Sequence, residues 1–395
     1  MDLNLTPEER QFRDELRSWL EANVPKDWPE HRNEPLQTRF DYMRVWQRKL
    51  FDGGWAGLNW PTEYGGRGAN LMQQVIFWQE MARADAPPIA GDLGLGMIGP
   101  TIIHFGSDEQ KKEHLEKILR GDNIWSQGFS EPDAGSDLAN LKCEARLEGD
   151  HYIVNGQKVW TSFGWVADWC ELLVRTDKTV AKHKGLTALL VDMKSPGVEV
   201  RPLKMMNGET EFSEMFFTDV KVPAGNVIGG VGKGWEVAIG TLMHERASLC
   251  AFFQVVYKRM TNQIIEHSRT VQCNGHPAAQ DPVMRQKIAQ CYAEVEIMRW
   301  NQARNFSQMM ATGVPGPEGS IQKIFWSEYN QRLQQVAQEL LGPYGQLGEN
   351  EAYAPDEGMW SREYMRSRGH TIEAGTSEIQ RNIIGHFVLG LPKSY

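Results

Sequence analysis

Two neighbouring stretches hold the residue types from which chemistry could be built. The first is Trp125-Ser-Gln-Gly-Phe-Ser-Glu-Pro-Asp-Ala-Gly-Ser-Asp137, and the second is Tyr152-Ile-Val-Asn-Gly-Gln-Lys-Val-Trp160-Thr-Ser162. Both read as strands with polar turns. Asn155-Gly156 is predicted as a hairpin turn, because both residues tolerate positive φ. The small residues of Pro132–Gly135 let backbone N–H groups approach a ligand closely. Ser130, Ser136 and Ser162 offer hydroxyls, and Trp160 offers a flat apolar face. Such a lining suits a planar, polar-edged ring beside a phosphate. It equally suits a β-domain with ordinary turns, and spacing alone leaves both readings open.

Three other motifs carry less. Gly94-Leu-Gly-Met-Ile-Gly99 fits GxGxxG, but no apolar strand precedes it and Pro100 follows, so close helix packing explains the glycines better than a dinucleotide fold. Gly229-Gly-Val-Gly-Lys-Gly234 lacks the spacing and the Ser or Thr of a phosphate loop, and reads as a hinge into the next helix. His244 has no HExxH or paired-ligand spacing, so no metal site is expected.

The elements that must position these residues change period twice. Thr6-Pro7-Glu8-Glu9 starts a helix with a cap, a first-turn proline and a capping box, and Phe12, Leu16, Trp19 and Leu20 fall on one face. A second helix is predicted over 37–51 with Tyr42, Val45, Trp46 and Leu50 inward, then helices over 71–84, 101–105 and 109–119. From about 123 the period becomes two, with short strands over 141–147, 152–154, 172–175, 186–191, 198–201 and 214–217. Helical periodicity returns over 235–267, 282–310, 320–341 and 377–387. The reading is mainly α with a central β domain: residues 1–122 an α-helical domain, 123–232 a β domain and 233–395 an α-helical bundle of four-helix type.

The 395 residues suffice for two or three domains, and 41% apolar with 24% charged residues is ordinary for a soluble globular protein. The net charge of −9 argues against a nucleic-acid partner. Five cysteines without a CxxC pair suggest reduced thiols in a cytoplasmic setting. No apolar run approaches the roughly 20 residues that span a bilayer. The acidic start, Met1-Asp-Leu-Asn-Leu-Thr-Pro-Glu-Glu9, is unlike a signal or transit peptide.

Three segments, in order, resemble the signatures of the acyl-CoA dehydrogenase family. Gly128-Phe-Ser-Glu-Pro-Asp-Ala-Gly-Ser-Asp137 is similar to the first, Trp160-Thr-Ser162 to the flavin-facing strand, and Ile372-Glu-Ala-Gly-Thr-Ser-Glu-Ile-Gln-Arg381 to the closing motif. The resemblance implies an α bundle, a β-barrel-like domain and a C-terminal four-helix bundle. It also implies FAD-dependent conversion of an acyl-CoA to the trans-2-enoyl-CoA. In that reaction a base removes the α-proton and the β-hydride passes to flavin N5, with electrons going on to electron-transfer flavoprotein. A homotetramer is the usual assembly, with a dimer or heterotetramer as alternatives.

Many family members place the catalytic Glu just before the Gly-Thr of the closing motif, where this chain has Ala374. Others place it on the first long C-terminal helix before an Arg. Leu242-Met-His-Glu-Arg-Ala-Ser248 matches that pattern, so the resemblance puts the base at Glu245. Its neighbours Ile239, Leu242 and Leu249 would desolvate it and raise its pKa. A structural ion pair of Glu245 with Arg246 or Arg269 is the other reading, and Glu373 is the rival base. By the same resemblance the thioester carbonyl is polarised by the Ala374 N–H, and Arg246 is a neighbour of the site.

Gln127, Phe129, Ser130, Trp160 and Ser162 match flavin contacts. Ser136 lies near pyrophosphate and acyl-CoA, and Thr376 and Glu378 on the adenosine side. Arg269, Gln338 and Gly342 match the part of the FAD site that a neighbouring subunit supplies. Two departures fall there: Gln272-Cys-Asn-Gly275 replaces a Phe-Gly, and Leu341 replaces a glycine. These departures leave open a partner subunit of a heteromeric dehydrogenase, and a flavin oxidase or monooxygenase on the same fold is the other alternative. Acyl chain length, branching or a steroid moiety is not legible at this level.

Overall fold

The computed structural model describes residues 5–32, 34–312, 316–349 and 351–392, and of 244–251 and 309–312 the backbone alone. Along the chain run α1 (Pro7–Asn23), α2 (Trp28–His31), α3 (Leu36–Asp52), α4 (Leu71–Arg83), α5 (Gly99–Phe105) and α6 (Asp108–Arg120). The strands follow: β1 (Trp125–Gly128), β2 (Glu144–Glu148), β3 (His151–Ser162), β4 (Trp169–Arg175), β5 (Leu186–Asp192), β6 (Val198–Leu203), β7 (Phe212–Pro223) and β8 (Val227–Ile228). After them come α7 (Gly234–Thr270), a small hairpin of β9 (Gln272–Cys273) and β10 (His276–Pro277), α8 (Pro282–Thr312), α9 (Gly319–Leu341), α10 (Met359–His370) and α11 (Ser377–Ile383). None of the described helices is long and apolar enough to cross a membrane. The chain divides into two compact units, and α7 passes from one to the other between Glu245 and Arg246.

The unit of Asn23–Asn70 and Pro87–Glu245 is built on an eight-stranded mixed sheet. Its order is β6-β7-β3-β2-β4-β5-β8, and β1 runs parallel to β4. One sheet face supplies a core of Val154, Cys170, Leu172, Val174, Leu189, Val191, Met215 and Phe217. The GxGxxG segment is helical: Gly94–Ile98 is a π turn leading into α5. A Cβ on Gly99 would lie 2.0 Å from the Trp60 ring, so close packing is what fixes that glycine.

Two sequence expectations fail in this unit. Asn155-Gly156 is no turn, since both residues lie inside β3. The chain reverses earlier, at Gly149 in the left-handed region. Asn155 bonds laterally to Asp219 on β7, with 3.0 Å contacts in both directions, and Gly156 takes up a register shift against β7. A Cβ on Gly156 would meet Cys143 Cα at 2.6 Å, so the glycine serves a bulge. Val45 points outward at 72% exposure, because the buried stripe of α3 is Phe40, Met43, Trp46, Gln47 and Leu50.

The unit of Met1–Ala22, Leu71–Ala86 and Arg246–Tyr395 is helical. The capping box at Thr6 forms as expected: Thr6 N–H donates to Glu9 Oε2 at 2.8 Å, and Glu9 N–H to Thr6 Oγ1 at 3.2 Å. α1 and α4 are joined by Arg17 and Arg83, which share the buried Glu80 carboxylate at 2.7 Å each. Helices α7, α8, α9 and α10 share one core: Tyr257, Met260 and Ile264; Ile288, Cys291 and Val295; Trp326, Tyr329 and Leu333; and Trp360. α10 escapes a periodicity search because two of its buried residues, Ser367 and His370, are polar.

Candidate active site

The site begins where β1 ends. The parallel register sets Trp125 opposite Trp169, their rings stack 5.7 Å apart, and His114 stands edge-on to both. Burial pushes the His114 imidazole down to about 4, so this wedge is neutral. Gly128 is required: a Cβ there would sit 2.7 Å from Leu172 Cδ1 and 2.9 Å from Cys170 Sγ.

Beyond Gly128 the chain turns around a buried ion pair. Lys158 Nζ donates to Glu131 Oε1 at 2.8 Å and to the Phe129 carbonyl at 3.0 Å. The same carboxylate accepts the N–H groups of Lys142 at 2.6 Å and Cys143 at 2.8 Å. The Val159 N–H donates to the Ser130 carbonyl at 2.9 Å. Thus β3 is tied to the 129–131 segment at three points, which sets Phe129 and Ser130, just after Gln127 on β1, beside the strand that carries Trp160 and Ser162. Phe129 is buried and Ser130 half-buried, while Ser136 lies exposed on the turn. Neither Lys158 nor Glu131 was singled out in the sequence. A lysine at a buried strand position four residues before Ser162 was the available signal.

β3 then bulges. Trp160 adopts φ 59° and is 62% exposed, its ring edge-on to Phe212 at 6.0 Å. A bulky residue in the left-handed region costs on the order of 1–3 kcal/mol and persists where surroundings impose it. The result is an indole face presented outward beside Ser162. Nearby polar atoms lack partners among the described residues: Gln127 Nε2 and Thr161 Oγ1 are buried with no hydrogen bond to any of them. Together these features fit a flat, polar-edged ring.

The closing motif lies in the helical unit. Ala374 (φ 52°) and Gly375 (φ 85°) are both left-handed, and Gln380 Nε2 holds the Ala374 carbonyl at 2.8 Å. Glu373, the rival base, is held by Arg366 at 2.9 Å, and His370 lies 3.6 Å away. Burial pushes His370 down to about 4, so Arg366 is the cation that matters. Thr376 caps α11, its Oγ1 accepting from Ile379 N–H at 3.2 Å. Thr376 and Glu378 border a cavity of about 970 Å³ shared with Arg332, Arg368 and Arg381. Arg368 Nη2 is buried there without a partner among the described residues.

The remaining expected residues are placed differently. Arg269 is exposed and paired with Glu266 at 2.8 Å. Gln338 donates inward to the Trp360 carbonyl at 3.1 Å, and Gly342 terminates α9 at φ 57°. The side chains of Glu245 and Arg246 lie outside the described residues. Position 245 is on continuous helix, four residues beyond Thr241, which is fully buried against β4.

Family models match almost the whole chain: the acyl-CoA dehydrogenase N-terminal domain over residues 6–122, the middle domain over 126–220 and the C-terminal domain over 232–389. The chain is 38% identical to the acyl-CoA dehydrogenase IpdE1 of Mycolicibacterium smegmatis, covering 98% of each. Among solved structures it is similar to a chain of the ChsE4-ChsE5 complex from Mycobacterium tuberculosis, with TM-score 0.87 and 33% identity over 100% of both chains. It is also similar to the Tcur3481-Tcur3483 steroid ACAD, with TM-score 0.87 and 28% identity over 100% of both. An outward indole face on a β bulge, a left-handed closing turn and three domain models matched in sequence order have one common explanation: this protein belongs to the acyl-CoA dehydrogenase family of flavoprotein oxidoreductases.

Proposed function

We propose that the protein desaturates an acyl-CoA between its α and β carbons, with Glu245 as the base that takes the α-proton. The observation that carries this reading is the state of the closing motif. Ala374 cannot accept a proton, and Glu373 is held by Arg366 at 2.9 Å. The Glu-Arg pair on α7 is then the carboxylate that matches the family pattern. Gln127, Ser130, Trp160 and Ser162 would hold the isoalloxazine part of FAD, whose bound ring supplies the hydride acceptor. The exposed indole would cover one side of the ring, and Gln127 Nε2 would offer a donor to its edge. Thr376 and Glu378 would face the adenosine side, and the left-handed turn at Ala374 would offer its N–H to the thioester oxygen. Electron-transfer flavoprotein would take the electrons.

Two of the similar structures, the ChsE4-ChsE5 complex and the Tcur3481-Tcur3483 steroid ACAD, pair two differently named chains, and the second is a steroid enzyme. A steroid-derived or similarly bulky acyl-CoA is therefore the substrate class to test first. A second reading has a specific observation behind it: Gln338 is committed to the Trp360 carbonyl, Arg269 to Glu266, and Leu341 replaces a glycine. On that reading the residues a neighbouring subunit contributes come from a different chain, and the assembly is heteromeric rather than a homotetramer. The test is anaerobic titration of the yellow protein with acyl-CoAs graded in length and ring content. Bleaching of flavin absorbance with formation of the trans-2-enoyl-CoA is the expected result. Rapid oxygen consumption without an added acceptor would favour an oxidase instead.

A further inference from the structure

Glu171 lies in the strand run Cys170-Glu-Leu-Leu-Val174, and its side chain is fully buried. Cys170, Leu172 and Val174 enter the core on one face of the sheet, so Glu171 projects from the other. There its Oε1 accepts from Thr241 Oγ1 at 2.9 Å. Thr241 is fully buried too, 2.9 Å from Thr101 Oγ1 and 3.1 Å from the Val237 carbonyl. Thr101 in turn reaches the Met97 carbonyl at 2.9 Å. The carboxyl thus joins β4, α7 and α5 through two hydroxyls. Its second oxygen, Oε2, is buried with no partner among the described residues, as is Nε2 of Gln127, its register neighbour on β1.

Among the described residues the groups around Glu171 are uncharged: Gln127 from β1, Leu190 from β5, Thr241 from α7 and, behind it, Thr101 from α5. The titratable residues of α7 next along the chain, His244, Glu245 and Arg246, have side chains outside the described residues. A carboxyl so placed keeps its proton, because ionisation would strand a charge away from water and from every described cation. Desolvation pushes it up to about 8, against a smaller pull down from the Thr241 hydroxyl.

Building on the assignment of Glu245 as base, we propose that Glu171 is a positioning residue: its neutral carboxyl, through Thr241, holds the first turns of α7 in register on the sheet and thereby sets position 245. Thr241 and position 245 are four residues apart, on one helix face and one turn from each other. A shift of the anchor is therefore passed to the base along rigid helix. Ionised Glu171 must draw in water or move away from the uncharged groups around it, and either loosens the anchor. Misplacement of a base by about 1 Å costs on the order of a hundredfold in rate.

Rapid-mixing reduction by substrate and amide hydrogen exchange across Val237–Thr241 test this on the holoenzyme. The variants are Glu171→Gln, Thr241→Val and Thr241→Ser. The wild type is expected to lose bleaching rate above about pH 8 with little change in substrate affinity, and to lose protection in the same range after correction for intrinsic exchange. Glu171→Gln keeps a neutral acceptor, so both alkaline losses disappear. Thr241→Val slows bleaching roughly ten- to a hundredfold at every pH, and Thr241→Ser restores it. The proposal is overturned if Glu171→Gln retains the alkaline losses, or if Thr241→Val leaves rate and exchange as in the wild type. Normal bleaching by Glu245→Gln would remove the base assignment alone, and the exchange data would still decide whether the Glu171 anchor exists.

Discussion

At the scale of single residues, buried charge decides the most. Lys158 is fully buried and its Nζ has Glu131 and one carbonyl as partners, so removing either ionic partner leaves a bare charge in the sheet. Lys158→Met is expected to destabilise by about 3–5 kcal/mol, and Glu131→Gln with Lys158→Met to recover part of that. Denaturant melts of the two variants check this. Glu171 gives a pH dependence of opposite sense to an ordinary salt bridge. Its carboxyl is raised from 4.5 to about 8 in the folded chain, so between those values the folded state holds a proton the unfolded state has lost. Stability therefore falls as the pH rises from about 4.5 through about 8. Glu171→Gln should match the wild type near pH 5 and melt several degrees higher near pH 9; a parallel fall in both proteins would contradict the assignment. Trp160 pays for its display in backbone strain. Trp160→Gly should leave the melting temperature of the apoprotein unchanged or higher while weakening flavin retention, read by fluorescence of released flavin.

At the scale of elements, periodicity located nearly every helix and strand core, because amphipathic spacing depends on local sequence alone. The helix start at Thr6 was legible for that reason, and Thr6→Ala should cost about 1 kcal/mol in a thermal melt. Asn155-Gly156 misled because its meaning depends on a distant partner. With Asp219 bonding the Asn155 amide and Cys143 backing the glycine, the same dipeptide makes a bulge that re-aims β3 before Trp160. The ion pair of Lys158 with Glu131 was hidden for the same reason, since the two lie 27 residues apart. Glu171 was not singled out either, because its hydroxyl partner Thr241 is 70 positions away and Thr241's own partner Thr101 is 140 positions from Thr241. α10 stayed unread because its inward face is part Ser367 and His370.

At the scale of the whole molecule, the three matched domain models and the full-length relatives set the family, and the closing motif narrows the chemistry. The residues proposed to hold the flavin ring lie within one unit and the Ala374 turn within the other, so the two can be probed separately. Flavin content of the chain purified alone bears on assembly. About one FAD per chain supports a homo-oligomer, and a colourless protein that turns yellow with a second, different chain supports a heteromer. The most direct measurement is anaerobic mixing of substrate with the flavin-loaded Glu245→Gln and Glu373→Gln variants, followed at the flavin absorbance. Glu245→Gln should bind the acyl-CoA yet leave the flavin oxidised, while Glu373→Gln bleaches within a few-fold of the wild-type rate. Bleaching by Glu245→Gln at the wild-type rate would contradict the account.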